Sequence, residues 1–324
     1  MLNIQPKHED YRSCLEDILA SVSAYWKRDH ELMFIGSWNF CFRSSCTNTS
    51  ETLGSRLHEG EENTRRYLDY YHGIVLETHD PISEKELWEI VASELTGNKP
   101  VIIYVNDYWC PWSKNYRIRE EMHPCLAVGM GSDDNGLFCL DPYNVSNIQF
   151  LSADLCGRLH RKCGTFQLQD RQEKPHNWSE IIYKASFGML KKEADFGNRF
   201  DDMRAFAQEI GRSLDLDVEA RENGWMLDSL LLDRLKYIMR RRKQFAVVLN
   251  YLALNCEEEA VPYLSHHSRQ MLEAAQQWEI ILQLLLKMFY TKSWETGRLK
   301  IADKLRELAD FEEQIALAMI QISK

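Results

Sequence analysis

The stretch that decides the fold is residues 122–143, "MHPCLAVGMGSDDNGLFCLDPY". Two short apolar runs, 125–130 and 137–140, flank Asp133-Asp134-Asn135-Gly136. An Asn-Gly pair in that place supplies the positive φ that a tight hairpin turn demands. The spacing therefore predicts two antiparallel strands. Folding them together brings their outer ends side by side. His123 stands at one outer end and Asp141 at the other, so they become neighbours despite lying 18 positions apart. A carboxylate that orients an imidazole through one ring nitrogen leaves the other nitrogen for a nucleophile.

Working outward, "ISEKELWEIVASELTGNKP" (82–100) reads as a helix with Leu87, Ile90, Val91 and Leu95 on one face. Gly97 is expected to close it and Pro100 to stop it. It runs into "VIIYVNDYW" (101–109), a β-branched and aromatic run suited to a buried strand. At the front of the chain, "SCLEDILASV" (13–22) is a helix start. Ser13 caps, Glu16 reaches back in a capping box, and Leu15, Ile18, Leu19, Val22, Tyr25 and Trp26 form an apolar face. Cys14 thus falls in the first turn, where unpaired N–H groups and the helix dipole favour thiolate over thiol. Taken alone, a helix-start cysteine is better explained by packing. Cys14, His123 and Asp141 in this order and context form a candidate nucleophile, base and orienting carboxylate.

Composition narrows the alternatives. The 324 residues suffice for two domains, and a net charge of −10 argues against general nucleic-acid binding. No apolar run approaches the ~20 residues of a membrane span; "EIILQLLLKMF" (279–289) is the longest, and a buried helix accounts for it. The opening "MLNIQPKHEDY" has the layout of neither a signal peptide nor a basic presequence. The nine cysteines are accordingly expected as reduced thiols in the cytoplasm. Cys156, His160 and Cys163 supply only three ligands without a paired CxxC, so no metal is expected.

The texture changes near residue 175. Residues 1–175 mix helices, strands and loops; "EKPHNW" (173–178) reads as a linker, and residues 176–324 are almost wholly helical in periodicity. The fold class expected is α+β, a mixed domain over 1–175 followed by an all-α helical bundle over 176–324. The apolar faces of the bundle suit either a cover for the first domain or a homodimer contact.

Residues 99–143 resemble the butirosin biosynthesis protein H family. Asp107, Tyr108, Pro111, Trp112, Tyr116, His123 and Asp141-Pro142 occupy the places of that family's motifs. "MRAFAQEIG", "QQWEIILQLLLK" and "KLRELADFEEQIALAM" are similar, more loosely, to its C-terminal helical domain. The resemblance implies a papain-like cysteine-enzyme domain that takes an acyl or peptidyl chain from the phosphopantetheine of a carrier protein. Related papain-like enzymes release nonribosomal peptide or polyketide chains, including by Dieckmann cyclisation. On this basis Cys14 is the nucleophile, His123 the base and Asp141 the orienter. Papain-like enzymes often carry an oxyanion-donating glutamine six residues before the cysteine, and His8 holds that place. Asp107, Tyr108, Trp109, Trp112 and Tyr116 are expected along one wall of the acyl pocket. Arg117, Arg119 and the run 240–243 are basic groups that a carrier protein would meet, although a solvated face explains the run better. No bound cofactor is expected, and the acceptor is a small molecule or a group within the chain itself. Two other readings remain open, a cysteine peptidase or thioesterase of the C39 type and a non-catalytic papain-like docking protein.

Overall fold

The computed structural model describes residues 1–44, 51–58, 63–132, 136–170, 177–192, 197–220 and 226–323. In chain order, α1 (Cys14–Tyr25) is followed by β1 (Cys41–Phe42), α2 (Leu53–Arg56), β2 (Leu57–His58) and α3 (Thr64–His72). Next come β3 (Ile74–His79), α4 (Glu84–Thr96), β4 (Val101–Asn106), β5 (Met122–Met130) and β6 (Gly136–Leu140). β7 (Gln149–Ser152), α5 (Ala153–Cys156) and β8 (Cys163–Leu168) complete the mixed part. The helical part contains α6 (Trp178–Leu190), α7 (Arg199–Ser213), α8 (Leu216–Glu219), α9 (Leu230–Leu254), α10 (Val261–Thr291) and α11 (Trp294–Ile322). The class is α+β.

The chain divides into two compact units, residues 1–33 with 65–174, and residues 34–64 with 175–324. The first is built on a six-stranded antiparallel sheet in the order β3-β8-β4-β5-β6-β7. β4 is buried at five consecutive residues, which requires cover on both faces. On one face Leu87 and Val91 of α4 pack against Val101, Ile103, Val105, Cys125 and Ala127. α1 also packs against β5. The expected hairpin is present, with Leu126 opposite Leu140 and Met130 opposite Leu137. A bulge falls between Ala127 and Gly129. Residues 133–135 of its turn lie outside the described residues, as do 173–176 of the expected linker. α4 closes at the expected glycine. Gly97 caps it with an ordinary φ of −77°, and Asn98 takes the left-handed conformation at φ 58°. Asparagine tolerates that region because its short side chain hydrogen-bonds locally.

The second unit corrects the expected domain boundaries. The division at 174/175 falls where the change of texture puts it, but residues 34–64 belong with the helices. The reason lies in what those residues bury. Trp38 packs on Phe245 and Phe200, Phe40 on Phe206 and Trp278, and Phe42 on Phe206, at ring-centroid separations of 5.1–6.3 Å. α2 is held in the same unit by Glu219, whose carboxylate accepts from the N–H groups of Leu53 (2.6 Å) and Gly54 (3.1 Å). Gly54 is required there, because any Cβ would collide with the backbone of Leu231.

At the centre of the helical unit lies a buried ion pair. The Glu312 carboxylate accepts from Arg242 Nε (3.1 Å) and Nη2 (2.9 Å), Trp38 Nε1 (2.8 Å) and Trp278 Nε1 (3.0 Å). Arg242 and Glu312 are both fully buried, and Arg242 Nη1 also donates to the Asn39 carbonyl at 2.6 Å. Arg241 donates to the carbonyls of Gly36 (2.7 Å) and Ser37 (3.0 Å). Two members of the basic run 240–243 are therefore internal fasteners, neither a carrier-protein contact nor a solvated face. The run 279–289 lies in α10, with Ile281, Leu282, Leu285 and Met288 buried. Among the described residues no helix is long and apolar enough to cross a membrane.

Removing one partner of a buried pair strands the other's charge, typically at about 3–5 kcal/mol. Glu312→Ala is expected to lower unfolding stability by about that amount in urea denaturation, and Glu312→Gln, which keeps one acceptor oxygen, by less.

Candidate active site

Cys14 is placed by the helix start read from the sequence. Ser13 Oγ accepts from the Glu16 N–H at 3.3 Å, and Glu16 Oε2 accepts from the Ser13 N–H at 2.6 Å. This box fixes the first turn, so the half-buried Cys14 occupies the first helical position. Its side chain adjoins His123 closely enough that the thiol is among the groups favouring the charged imidazole. His123 Nε2 lies 3.0 Å from Asp141 Oδ2, both side chains being buried. With Nε2 committed to the carboxylate, Nδ1 is the nitrogen left for sulfur. The structure thus brings the three expected residues together.

Asp141 is held by more than His123. Its Oδ2 also accepts from Trp112 Nε1 (3.1 Å) and Asn144 Nδ2 (2.9 Å), while the Asn144 backbone N–H approaches Oδ1 at 3.3 Å. Burial pushes the Asp141 carboxyl up, yet the hydrogen bond and charge of His123, with Asn144, hold it below its ordinary value. Burial likewise opposes an imidazolium at His123. The hydrogen bonds to Asp141 and Cys14, with their charges, override it and push the His123 pKa up to about 10.

The other expected site residues separate into groups. Trp112 reaches the site, as the indole that orients Asp141. Trp109 instead packs between the guanidinium groups of Arg117 (4.3 Å) and Arg158 (4.0 Å). Tyr108 and Tyr116 flank the same Arg117, at 5.5 and 5.2 Å. Asp107 is buried and accepts from Asn115 Nδ2 at 2.9 Å, bracing the 107–116 loop from within. These contacts engage Asp107, Tyr108, Trp109 and Tyr116 with the loop and its arginines. Of the five residues expected along an acyl-pocket wall, Trp112 is the one that hydrogen-bonds to Asp141. His8 lies against Asp17, its Nδ1 2.6 Å from Oδ2.

Sequence reasoning missed Asn144, Tyr143, Arg12 and Asp17. Asn144 was detectable in principle, since "DPYN" lets the asparagine three residues on close a turn over its aspartate. Asp17 carried a subtler signal, an acidic residue on the buried side of an amphipathic helix, one turn after Cys14. Its carboxylate, fully buried, also accepts from Arg12 Nε at 2.8 Å.

The ligand atoms of His123, Cys125 and Asp141 lie within 4.8 Å of one another. The donor set would suit zinc by type, but Asp141 Oδ2 already accepts from three N–H groups, and those bonds would have to be given up. Cys125 lies beside Cys110, and that neighbour together with burial raises the Cys125 thiol well above its ordinary value. The same contact lowers the Cys110 pKa against the effect of burial, and the backbone of Trp112 assists. Cys156 hydrogen-bonds to the Leu151 carbonyl, and burial raises both the Cys156 and Cys163 thiols to about 11.

A scan against protein-family models finds no match to this chain, and a search of curated proteins finds none either.

The raised His123 pKa fixes a sign for stability. A group at 6.5 when unfolded and about 10 when folded contributes stability that is fully present below pH 6.5 and is lost as pH rises through about 10. Urea denaturation of wild type and His123→Asn is expected to give a stability gap that narrows over that window. A gap that widened with pH would contradict the assignment of the proton to His123.

Proposed function

We propose that the chain is a cysteine-dependent acyltransferase of secondary metabolism, acting on acyl or peptidyl chains presented on the phosphopantetheine of a carrier protein. The observation that carries this reading is the sequence of contacts Cys14–His123–Asp141 at the start of a buried helix. The resemblance of residues 99–143 to the butirosin biosynthesis protein H family supplies the substrate class. A cytoplasmic setting, where thiols stay reduced, suits the nucleophile.

In the proposed cycle the Cys14 thiolate attacks the thioester carbonyl while His123 holds the opposing charge. The backbone N–H of Cys14, unpaired at the first helical position, faces the developing oxyanion. The carbon–sulfur bond to the carrier breaks, and the departing pantetheine thiolate takes a proton from His123. Thioester exchange is nearly isoenergetic, so the protein supplies orientation and charge rather than driving force. An amine then attacks the acyl-enzyme and leaves as an amide. A carbon nucleophile within the chain would give a Dieckmann-type ring by the same route, and water would give the hydrolysis of a peptidase or thioesterase.

Intact-protein mass spectrometry after mixing with N-acetylcysteamine thioesters tests the first half. The expected result is an acyl adduct on wild type and none on Cys14→Ala. Absence of an adduct across short, long and aminoacyl chains would overturn acyl transfer and leave the docking-protein reading.

A further inference from the structure

On the sheet face that α1 covers, a further set of polar groups gathers beside the reacting pair. Residues opposite one another in an antiparallel ladder share a face, and so do residues two apart along a strand. Thr78 stands opposite Gly164 and Gly164 opposite Ile102, so Thr78, Ile102 and Tyr104 lie on one face. Phe166, two residues beyond Gly164, packs on Trp26 at the end of α1, with ring centroids 6.1 Å apart. That contact identifies the face as the one under the helix. Tyr104 precedes Val105, whose partner across the ladder is His123, the residue that adjoins Cys14. The Tyr104 hydroxyl senses the same surroundings. Burial raises its pKa, the Arg65 guanidinium opposes the rise, and the charge of Cys14 adds to it.

Two cations border this tyrosine. Lys162, just ahead of β8, brings its ammonium to 5.5 Å from the centre of the Tyr104 ring. Arg65, in the first turn of α3, donates from Nη1 to Thr78 Oγ1 at 2.8 Å and adjoins the Tyr104 hydroxyl. Tyr104 itself is 8% exposed, so it is a fixed platform rather than a surface side chain. Among the described residues neither cation forms an ion pair with a carboxylate, in a chain whose net charge is −10. The bond to Thr78 occupies one guanidinium N–H and leaves the rest of the fork for another acceptor. A guanidinium matches the paired oxygens of a carboxylate or phosphate, and an ammonium adds a compact charge beside it.

We propose that Arg65, Lys162 and Tyr104 form a subsite for an oxyanion carried by the acyl donor, a carboxylate on the acyl chain or the phosphate ester of the pantetheine arm. The inference rests on the acyl-transfer reading above. It adds a charge requirement that Cys14, His123 and Asp141 do not impose. The subsite makes and breaks no bond; it holds the donor beside the nucleophile.

The second-order rate of Cys14 acylation, followed by intact-protein mass spectrometry, reads this requirement as a ratio between donors. Butyryl-pantetheine and butyryl-4′-phosphopantetheine differ only in the phosphate. Butyryl- and glutaryl-N-acetylcysteamine differ only in a terminal carboxylate. Wild type is expected to prefer the anionic member of at least one pair by about 10-fold or more, and the pair that shows the preference names the source. In Arg65→Gln/Lys162→Gln that ratio is expected to fall to about one. Lys162→Gln alone, outside any strand, is expected to lower it by about threefold, and Arg65→Lys to keep part of it, because the charge stays while the fork is lost. A merely structural role would slow both members of a pair and leave their ratio unchanged. Ratios near one for both pairs in wild type, or a preference that survives both the single and the double substitution, would overturn this inference alone. Failure of every donor to acylate wild-type Cys14 would overturn the acyl-transfer reading and this inference with it.

Discussion

A carboxylate taken out of water must be given N–H donors, and much of this molecule is arranged to meet that demand. Glu312 receives four, from Arg242, Trp38 and Trp278. Because these donors come from three separate stretches of chain, satisfying one side chain fixes where residues 34–44, α9, α10 and α11 meet. The arrangement need not add net stability over an apolar core of equal volume. What it does is penalise every packing in which the partners are misaligned, since each leaves a charge or indole N–H unpaired.

The sheet-containing unit repeats the device on a smaller scale. Asp141 gathers His123, Trp112 and Asn144, and Asp17 gathers His8, Arg12 and the backbone of residue 9. Each fixes one imidazole's tautomer and hence which nitrogen faces outward. The carboxylates sit on rigid elements, the end of a strand and the second turn of a helix, and the histidines inherit that rigidity. Electrostatics and position are thus set by the same bonds.

What was legible in the sequence was local. The capping box at Ser13 and Glu16, the periodic faces of the helices and the paired apolar runs around Gly136 each involve residues within a turn or a hairpin, where spacing alone determines geometry. His123 and Asp141 followed from the hairpin. Long-range satisfaction was not legible. Arg242 and Glu312 are 70 positions apart, and in a row of four basic residues nothing marks Arg241 and Arg242 as internal. Residues 34–64 were read with the rest of 1–175 because the texture of the sequence changes only near 175, whereas Trp38, Phe40 and Phe42 pack among the helices. In the aromatic loop at 107–116 the rings are close in sequence, but spacing alone did not single out Trp112 as the one that hydrogen-bonds to Asp141.

The interleaving of the two units has a consequence for how the chain is made. It passes from one unit to the other after residues 33, 64 and 174. During synthesis the last strand of the sheet, β8, is complete by Leu168, so the sheet-containing unit can close while most of the helices are still untranslated. The segment carrying Trp38, Phe40 and Phe42 has no such option. It must wait as an apolar insert until Trp278 and Glu312 have left the ribosome, the better part of the chain's synthesis later. Nascent polypeptides in that state are natural clients for chaperones. A fragment cut near residue 175 would keep the insert permanently without its partners. The sheet-containing unit is thus a folding unit in space without being a transferable cassette in sequence.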